Sequence, residues 1–229
     1  MIEILDYQET KLGLLMLRRR ELLSRPGVIV TEVTLDHSFL MSSYHTESEC
    51  RLASSALVMH QGEEPLSVMV GGLGLGFTAI EALRDSRVQD LQVIEFLPEV
   101  IAWLDHDWIP NGEQLKTPGR AMVIEDDVYQ RLMRSPVDGG EVDLILIDVD
   151  HSPDEMLSPA NAAFYTEDGL QTVRKHLKPG GVMGIWSTYP CEEFEALLGS
   201  VFGEVSIEVV KWRNDLVDID KEDTLFFVR

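Results

Sequence analysis

The chain has 229 residues, 45% of them hydrophobic, enough to bury one good core with a small appendage. Its 19 basic residues face 40 acidic ones, a formal net charge of −21. That argues against nucleic acid as a partner, because such binding rests on Lys and Arg neutralising phosphates. The field would draw a cationic substrate such as a polyamine, although acidity also serves solubility alone. No apolar run reaches membrane-spanning length, and Met1-Ile-Glu-Ile-Leu-Asp6 lacks a basic region and a cleavage site. The chain therefore reads as cytoplasmic, with no membrane partner. Cys50 and Cys191 lie far apart with no pairing motif.

Residues 1–60 read as an N-terminal β-hairpin and oligomerisation region. Short strands are expected around 6–10, 14–17 and 27–34, with turns at Gly13, Pro26-Gly27 and Asp36-His37. Helix competes for 11–24, since short apolar runs do not settle the period. A loop from Ser42 leads into a helix ending near His60, whose apolar face takes Leu52, Ala56 and Val58 or Met59. Residues 61–65 are the junction to a second domain, 61–229.

From Leu66 onward strands and helices alternate, the pattern of a parallel sheet covered on both faces. Strands fall at 66–70, 91–94, 121–124, 142–147 and 182–186. One helix carries Phe77, Ile80 and Leu83 on a face, and another spans Pro98–Trp108 with Val100, Ile101, Leu104 and Trp108 inward. A helix around 170–177 stops at Lys178-Pro-Gly-Gly181, one more runs over 192–201, and strands at 205–212 and 224–228 close the chain as an antiparallel pair. The fold class is α/β: a Rossmann-like, seven-stranded, doubly wound sheet with a small N-terminal β-rich domain.

The chemistry gathers at strand ends. The first strand breaks into Gly71-Gly72-Leu-Gly74-Leu-Gly76 before a helix, a turn that exposes backbone N–H groups and lets a ligand approach the main chain. A dinucleotide site wants Gly-x-Gly-x-x-Gly, and Phe77 stands where the third glycine would fall. Gly72-x-Gly74-x-Gly76 instead resembles the S-adenosylmethionine sites of the class I methyltransferase fold. Glu95, directly after the second strand, can accept hydrogen bonds from both ribose hydroxyls. Asp126 and Asp127 follow the third strand, where a carboxylate can take an adenine amino group; a solvated acidic turn is the competing reading. After the fourth strand come Asp148, Asp150 and His151, two carboxylates and a histidine placed for acid–base work. A metal reading of Asp-x-Asp-His lacks a second ligand cluster, so no metal is expected. His37, His60 and His176 read as surface or helix-end residues.

Tyr7-Gln8, Tyr44-His45, Val70-Gly-Gly-x-x-x-Gly76, Glu95 with Pro98-Glu-Val-Ile101, Asp127-x-Tyr129 with Leu132, Asp143-Leu-Ile-Leu-Ile-Asp148, Phe164-Tyr165 and Leu177-Lys-Pro-Gly-Gly-Val182 together resemble the spermidine synthase family of aminopropyltransferases. The aliphatic Val70 matches that family, where methyltransferases usually carry an acid. The resemblance implies a decarboxylated S-adenosylmethionine donor, a small-molecule amine acceptor, and a homodimer or higher homo-oligomer. It implies Gly71, Gly72, Gly74, Gly76, Glu95, Asp126 and Asp127 around the nucleoside, and Tyr44, His45 and Tyr165 on the acceptor side.

Two departures fall on the amine-binding half. Gly74 stands where the family has an Asp that contacts the donor amine. His151 stands where the family has the second Asp of Asp-x-x-Asp-Pro, with Asp150 one place earlier. Losing the first carboxylate removes a charge-assisted contact to an ammonium and makes room for a methionine carboxylate. Plain S-adenosylmethionine, and methyl transfer with it, therefore stays open beside aminopropyl transfer. Asp150 or His151 is the expected base, with Asp148 in the same catalytic group. A non-catalytic nucleoside-binding homologue is the alternative.

Overall fold

The computed structural model describes residues 2–63, 65–214 and 218–229. Four antiparallel strands come first: β1 (Ile2–Thr10), β2 (Gly13–Glu21), β3 (Ile29–Leu35) and β4 (Ser38–Ser42), paired in chain order. Within 11–24, residues 13–21 are strand and none is helix. Leu15 and Leu17 alternate inward at 2% and 0% exposure, the period of two that an amphipathic helix would not keep. Asp36 and His37 turn the β3–β4 hairpin with positive φ, and strand β4 was not foreseen.

Helix α1 (Glu47–Met59) follows, with Leu52 and Ala56 buried as expected. Of the two candidates for the rest of its face, Val58 is exposed and Met59 packs on the core. The second unit then runs β5 (Leu66–Gly71), α2 (Phe77–Arg84), β6 (Val88–Glu95), α3 (Pro98–Asp105), β7 (Ala121–Glu125), α4 (Val128–Leu132) and β8 (Val142–Ile147). It ends with α5 (Glu167–Arg174), β9 (Leu177–Ser187), α6 (Glu192–Phe202), β10 (Val205–Asn214) and β11 (Ile219–Val228). The seven strands lie in the order β10-β11-β9-β8-β5-β6-β7, parallel from β9 through β7. Strand β11 runs antiparallel to both β9 and β10, so the closing antiparallel pair is as expected.

Both faces of this sheet are covered. Strand β8 is buried throughout, with Leu144 and Leu146 feeding the α1–α2–α3 core and Ile145 and Ile147 the α4–α5–α6 core. Leu15, Leu17 and Val33 join the first of these cores, tying the N-terminal sheet to the larger one.

Some boundaries moved. Helix α3 stops at Asp105, leaving Trp108 beyond its end. The buried aromatic is Trp103, 1% exposed, whose indole N–H donates to Asp6 Oδ2 at 2.6 Å. The Lys178-Pro-Gly-Gly181 stretch belongs to β9 rather than to a helix stop. His60 and His176 do stand at helix ends, yet both are buried. Among the described residues no helix is long and apolar enough to cross a membrane.

Candidate functional site

Chain order reverses between the neighbouring strands β5 and β8, which opens a crevice at their C-terminal ends. Gly72 and Asp148 emerge there side by side. Gly72 has φ +91°, and a Cβ at that position would meet the Asp148 carbonyl oxygen at 2.4 Å, so no other residue fits. Gly74, at φ +48°, faces Met41 of the N-terminal sheet, 2.8 Å from where its Cβ would stand. Gly76 caps α2, and its N–H donates to the Leu73 carbonyl at 2.7 Å. Gly71 ends β5 packed against Val128 and Ile147, behind the crevice rather than in its wall.

Glu95 is buried, 8% exposed, and locks the turn in place. Its Oε2 accepts from the Leu73 N–H and its Oε1 from the Leu97 N–H, both at 2.8 Å. Burial pushes its pKa up, against the pull of these backbone donors. Asp127 caps α4 by accepting from the Gln130 N–H at 3.0 Å. Asp126 turns to its own chain instead, accepting from the Asp127 N–H at 2.9 Å and facing Arg131 at 3.5 Å. Gly72, Gly74, Glu95 and Asp127 line a cavity of about 200 Å³. Its remaining wall is mostly apolar, including Val100, Trp103 and Val128. The N-terminal sheet covers one side with Leu15, Leu40 and Met41.

A larger cavity of about 670 Å³ adjoins it, and Gly72, Gly74, Met41, Asp148 and Val149 border both. Three carboxylates from distant elements meet on its wall: Glu49 of α1, Asp148 after β8 and Asp223 of β11. Burial raises the pKa of each, and the Asp148 charge adds to the rise at Glu49 while the Asp223 charge adds to that at Asp148. Asp148 still accepts a 2.6 Å hydrogen bond from the Thr78 hydroxyl, and Asp223 one of 2.8 Å from the Trp212 indole. Aromatic rings complete the wall: His45 stacks on Trp212 with centroids 4.4 Å apart, and Tyr44 meets His45 edge-on at 4.5 Å. Tyr44 and His45, which the resemblance put on the acceptor side, line this larger cavity. Glu49, Asp223, Trp186 and Trp212 carried no motif in the sequence.

Asp150, 3% exposed, accepts four hydrogen bonds. Oδ1 takes the Leu157 N–H at 2.7 Å and the Asn161 amide at 2.8 Å. Oδ2 takes the hydroxyls of Tyr129 at 2.7 Å and Tyr165 at 3.0 Å. Tyr165 therefore lies behind Asp150 rather than in the wall of either cavity. His151 lines the larger cavity, and its carbonyl accepts from the Thr188 N–H at 2.7 Å. Among the described residues no three His, Cys, Asp or Glu side chains are grouped to hold a metal.

No protein-family model matches the chain, and no curated protein sequence is similar to it. Solved structures are. A spermidine synthase in complex with the transition-state analogue AdoDATO superposes with a TM-score of 0.71 at 16% identity, over 99% of this chain and 72% of that one. A spermidine synthase from Thermotoga maritima gives 0.72 at 16% identity over the same shares. Human methyltransferase-like protein 13 in complex with SAH gives 0.57 at 19% identity, over 79% of this chain and 81% of that one. The chain thus has the Rossmann-like α/β fold of class I methyltransferases. The spermidine synthase matches extend across the N-terminal sheet as well, covering nearly the whole chain.

Proposed function

We propose that the protein is a transferase that takes an S-adenosylmethionine-type sulfonium donor in the smaller cavity and an amine acceptor in the larger one. One observation carries this reading: the two cavities share a wall at Gly72, Gly74, Asp148 and Val149. A molecule held by its nucleoside in the first would present its other end to the second. The residues present fit such a donor. Positive φ at Gly72 and Gly74 keeps side chains off the approach, and Glu95 and Asp127 stand at the ends of successive strands. Spermidine synthase and methyltransferase neighbours, solved with AdoDATO and SAH, support the same ligand class.

A sulfonium donor supplies an electrophilic carbon; the chain's own residues must bind, orient and manage a proton. Orientation comes from the two cavities meeting at a fixed turn. An ammonium entering the larger cavity meets Glu49, Asp148 and Asp223, and its charge favours their ionised forms. Asp148 borders both cavities, and its pKa is pushed up to about 6, so we assign it the proton of the attacking amine. Asp150, with four donors on its carboxylate, is better suited to hold the 157–161 segment than to accept a further proton.

The test is product formation. The full chain with either S-adenosylmethionine or its decarboxylated form, and a panel of amines, should release S-adenosylhomocysteine or methylthioadenosine. Nucleoside binding without either product would favour a non-catalytic binding protein.

A further inference from the structure

The larger cavity has a second pole. Arg18 and Arg20 stand two residues apart on β2, hence on one face of the N-terminal sheet, and Glu32 pairs across from Arg18 on β3. Glu32 is 4% exposed. Its Oε2 accepts from Arg18 Nε at 2.9 Å and Nη2 at 2.8 Å; its Oε1 accepts from Arg20 Nε at 2.8 Å and Nη2 at 2.6 Å. Burial would raise the Glu32 pKa, but the hydrogen bonds from Arg20 and Arg18 prevail and hold it low.

All three residues line the cavity. Two guanidinium groups share one carboxylate, so this wall carries surplus positive charge. Each guanidinium has five N–H donors, of which Glu32 engages one side. Only the carboxylate is buried here; both arginine side chains keep about a third of their surface open, Arg18 31% and Arg20 27%, so they remain reachable from the cavity. The same cavity holds two further unmet polar atoms among the described residues, His45 Nε2 and the Trp186 indole nitrogen.

We infer that the larger cavity recognises an aminocarboxylate, its ammonium drawn to Glu49, Asp148 and Asp223 and its carboxylate to Arg18 and Arg20. The assignment rests on the transferase reading above and narrows it: a plain diamine would leave the arginine pole unmatched. Two molecules of that reading carry this charge pair, the methionine end of an intact donor and an amino-acid acceptor.

Matched ligands separate the cases by calorimetry on the full chain. S-adenosylmethionine and its decarboxylated form differ only in the donor carboxylate; ornithine and putrescine, titrated into protein loaded with methylthioadenosine, differ only in the acceptor carboxylate. The carboxylate-bearing member of one pair should bind about tenfold tighter or more, the scale of one charge-assisted fork. Arg18→Gln should erase that preference and spare methylthioadenosine binding. Arg20 continues to pair with Glu32 in this variant, so the buried carboxylate stays matched. If R18Q melts early, Arg18→Lys serves in its place, keeping the charge without the fork and retaining only part of the preference.

Preference in the first pair assigns the site to the donor, and in the second to the acceptor. If methylthioadenosine binds while neither pair discriminates, or the preference survives undiminished in whichever Arg18 variant folds, the aminocarboxylate assignment is overturned and the transferase reading stands. Failure of every nucleoside to bind refutes the transferase reading and removes the assignment with it.

Discussion

Asp150→Asn distinguishes a structural carboxylate from a catalytic one. The Asp150 carboxylate accepts from two obligate donors, the Leu157 N–H and the Asn161 amide, and from the hydroxyls of Tyr129 and Tyr165. An asparagine can keep its oxygen toward the first pair. Its NH₂ then faces two hydroxyls that must turn from donors into acceptors, and all four bonds lose their ionic character. At about 0.5–1 kcal/mol lost per bond, the variant should be destabilised by about 2–4 kcal/mol. For a chain of this length that is a fall of roughly 5–15 °C in the melting midpoint, measured by calorimetry or circular dichroism. Residual turnover, corrected for the folded fraction, should keep its pH profile. A midpoint unchanged within about 1 °C together with a loss of turnover of about a hundredfold or more would mark Asp150 as the base and refute this reasoning.

The carboxylate cluster predicts a pH trend in stability that a bound cation weakens. Glu49 is pushed up to about 8 and Asp148 to about 6, from 4.5 and 3.8, chiefly by burial. The folded state therefore holds protons that the unfolded state has released, and stability should fall as pH rises from about 5 to 8. A bound diamine, or Glu49→Gln, should flatten that fall in a melting series across this range; an unchanged slope in both would contradict the clustering. Gly72→Ala sets a Cβ 2.4 Å from the Asp148 carbonyl oxygen at φ +91°. It should weaken methylthioadenosine binding by about tenfold or more, given a strain of about 1–2 kcal/mol before any clash is counted. Glu95→Gln can satisfy only one of the two N–H donors that Glu95 now accepts, so nucleoside affinity should fall by a similar factor, read by the same titration. Gly74→Asp introduces a carboxylate facing the flexible Met41 side chain and should shift donor preference toward the decarboxylated form.

The parts of the site legible in the sequence are those made by one strand and the turn that follows it. Gly72, Gly74, Glu95, Asp127 and Asp148, which line the cavities, stand out in the sequence because a buried apolar run followed by glycine or acid is a local pattern. Glu49 reads only as an acid in the first turn of a helix, and Asp223 as one charge among several in an edge region; only packing brings them beside Asp148. Arg18 and Arg20 were hidden by the helix–strand ambiguity of 11–24, because which face they share depends on the period. Trp108 was expected on the inner face of a longer helix; α3 ends at Asp105, and Trp103 is its buried aromatic instead. Tyr165 was placed at the acceptor side by resemblance, and its hydroxyl instead serves Asp150.

The N-terminal sheet does more than precede the larger one. Leu12, Leu15, Leu35, Leu40 and Met41 roof the smaller cavity, while Arg18, Arg20 and Glu32 of the same four strands wall the larger one. The strand ends of the seven-stranded unit are thus a floor without a ceiling. Exchanging the first 42 residues for another such sheet would leave the glycine turn and Glu95 in place and alter what is admitted above them.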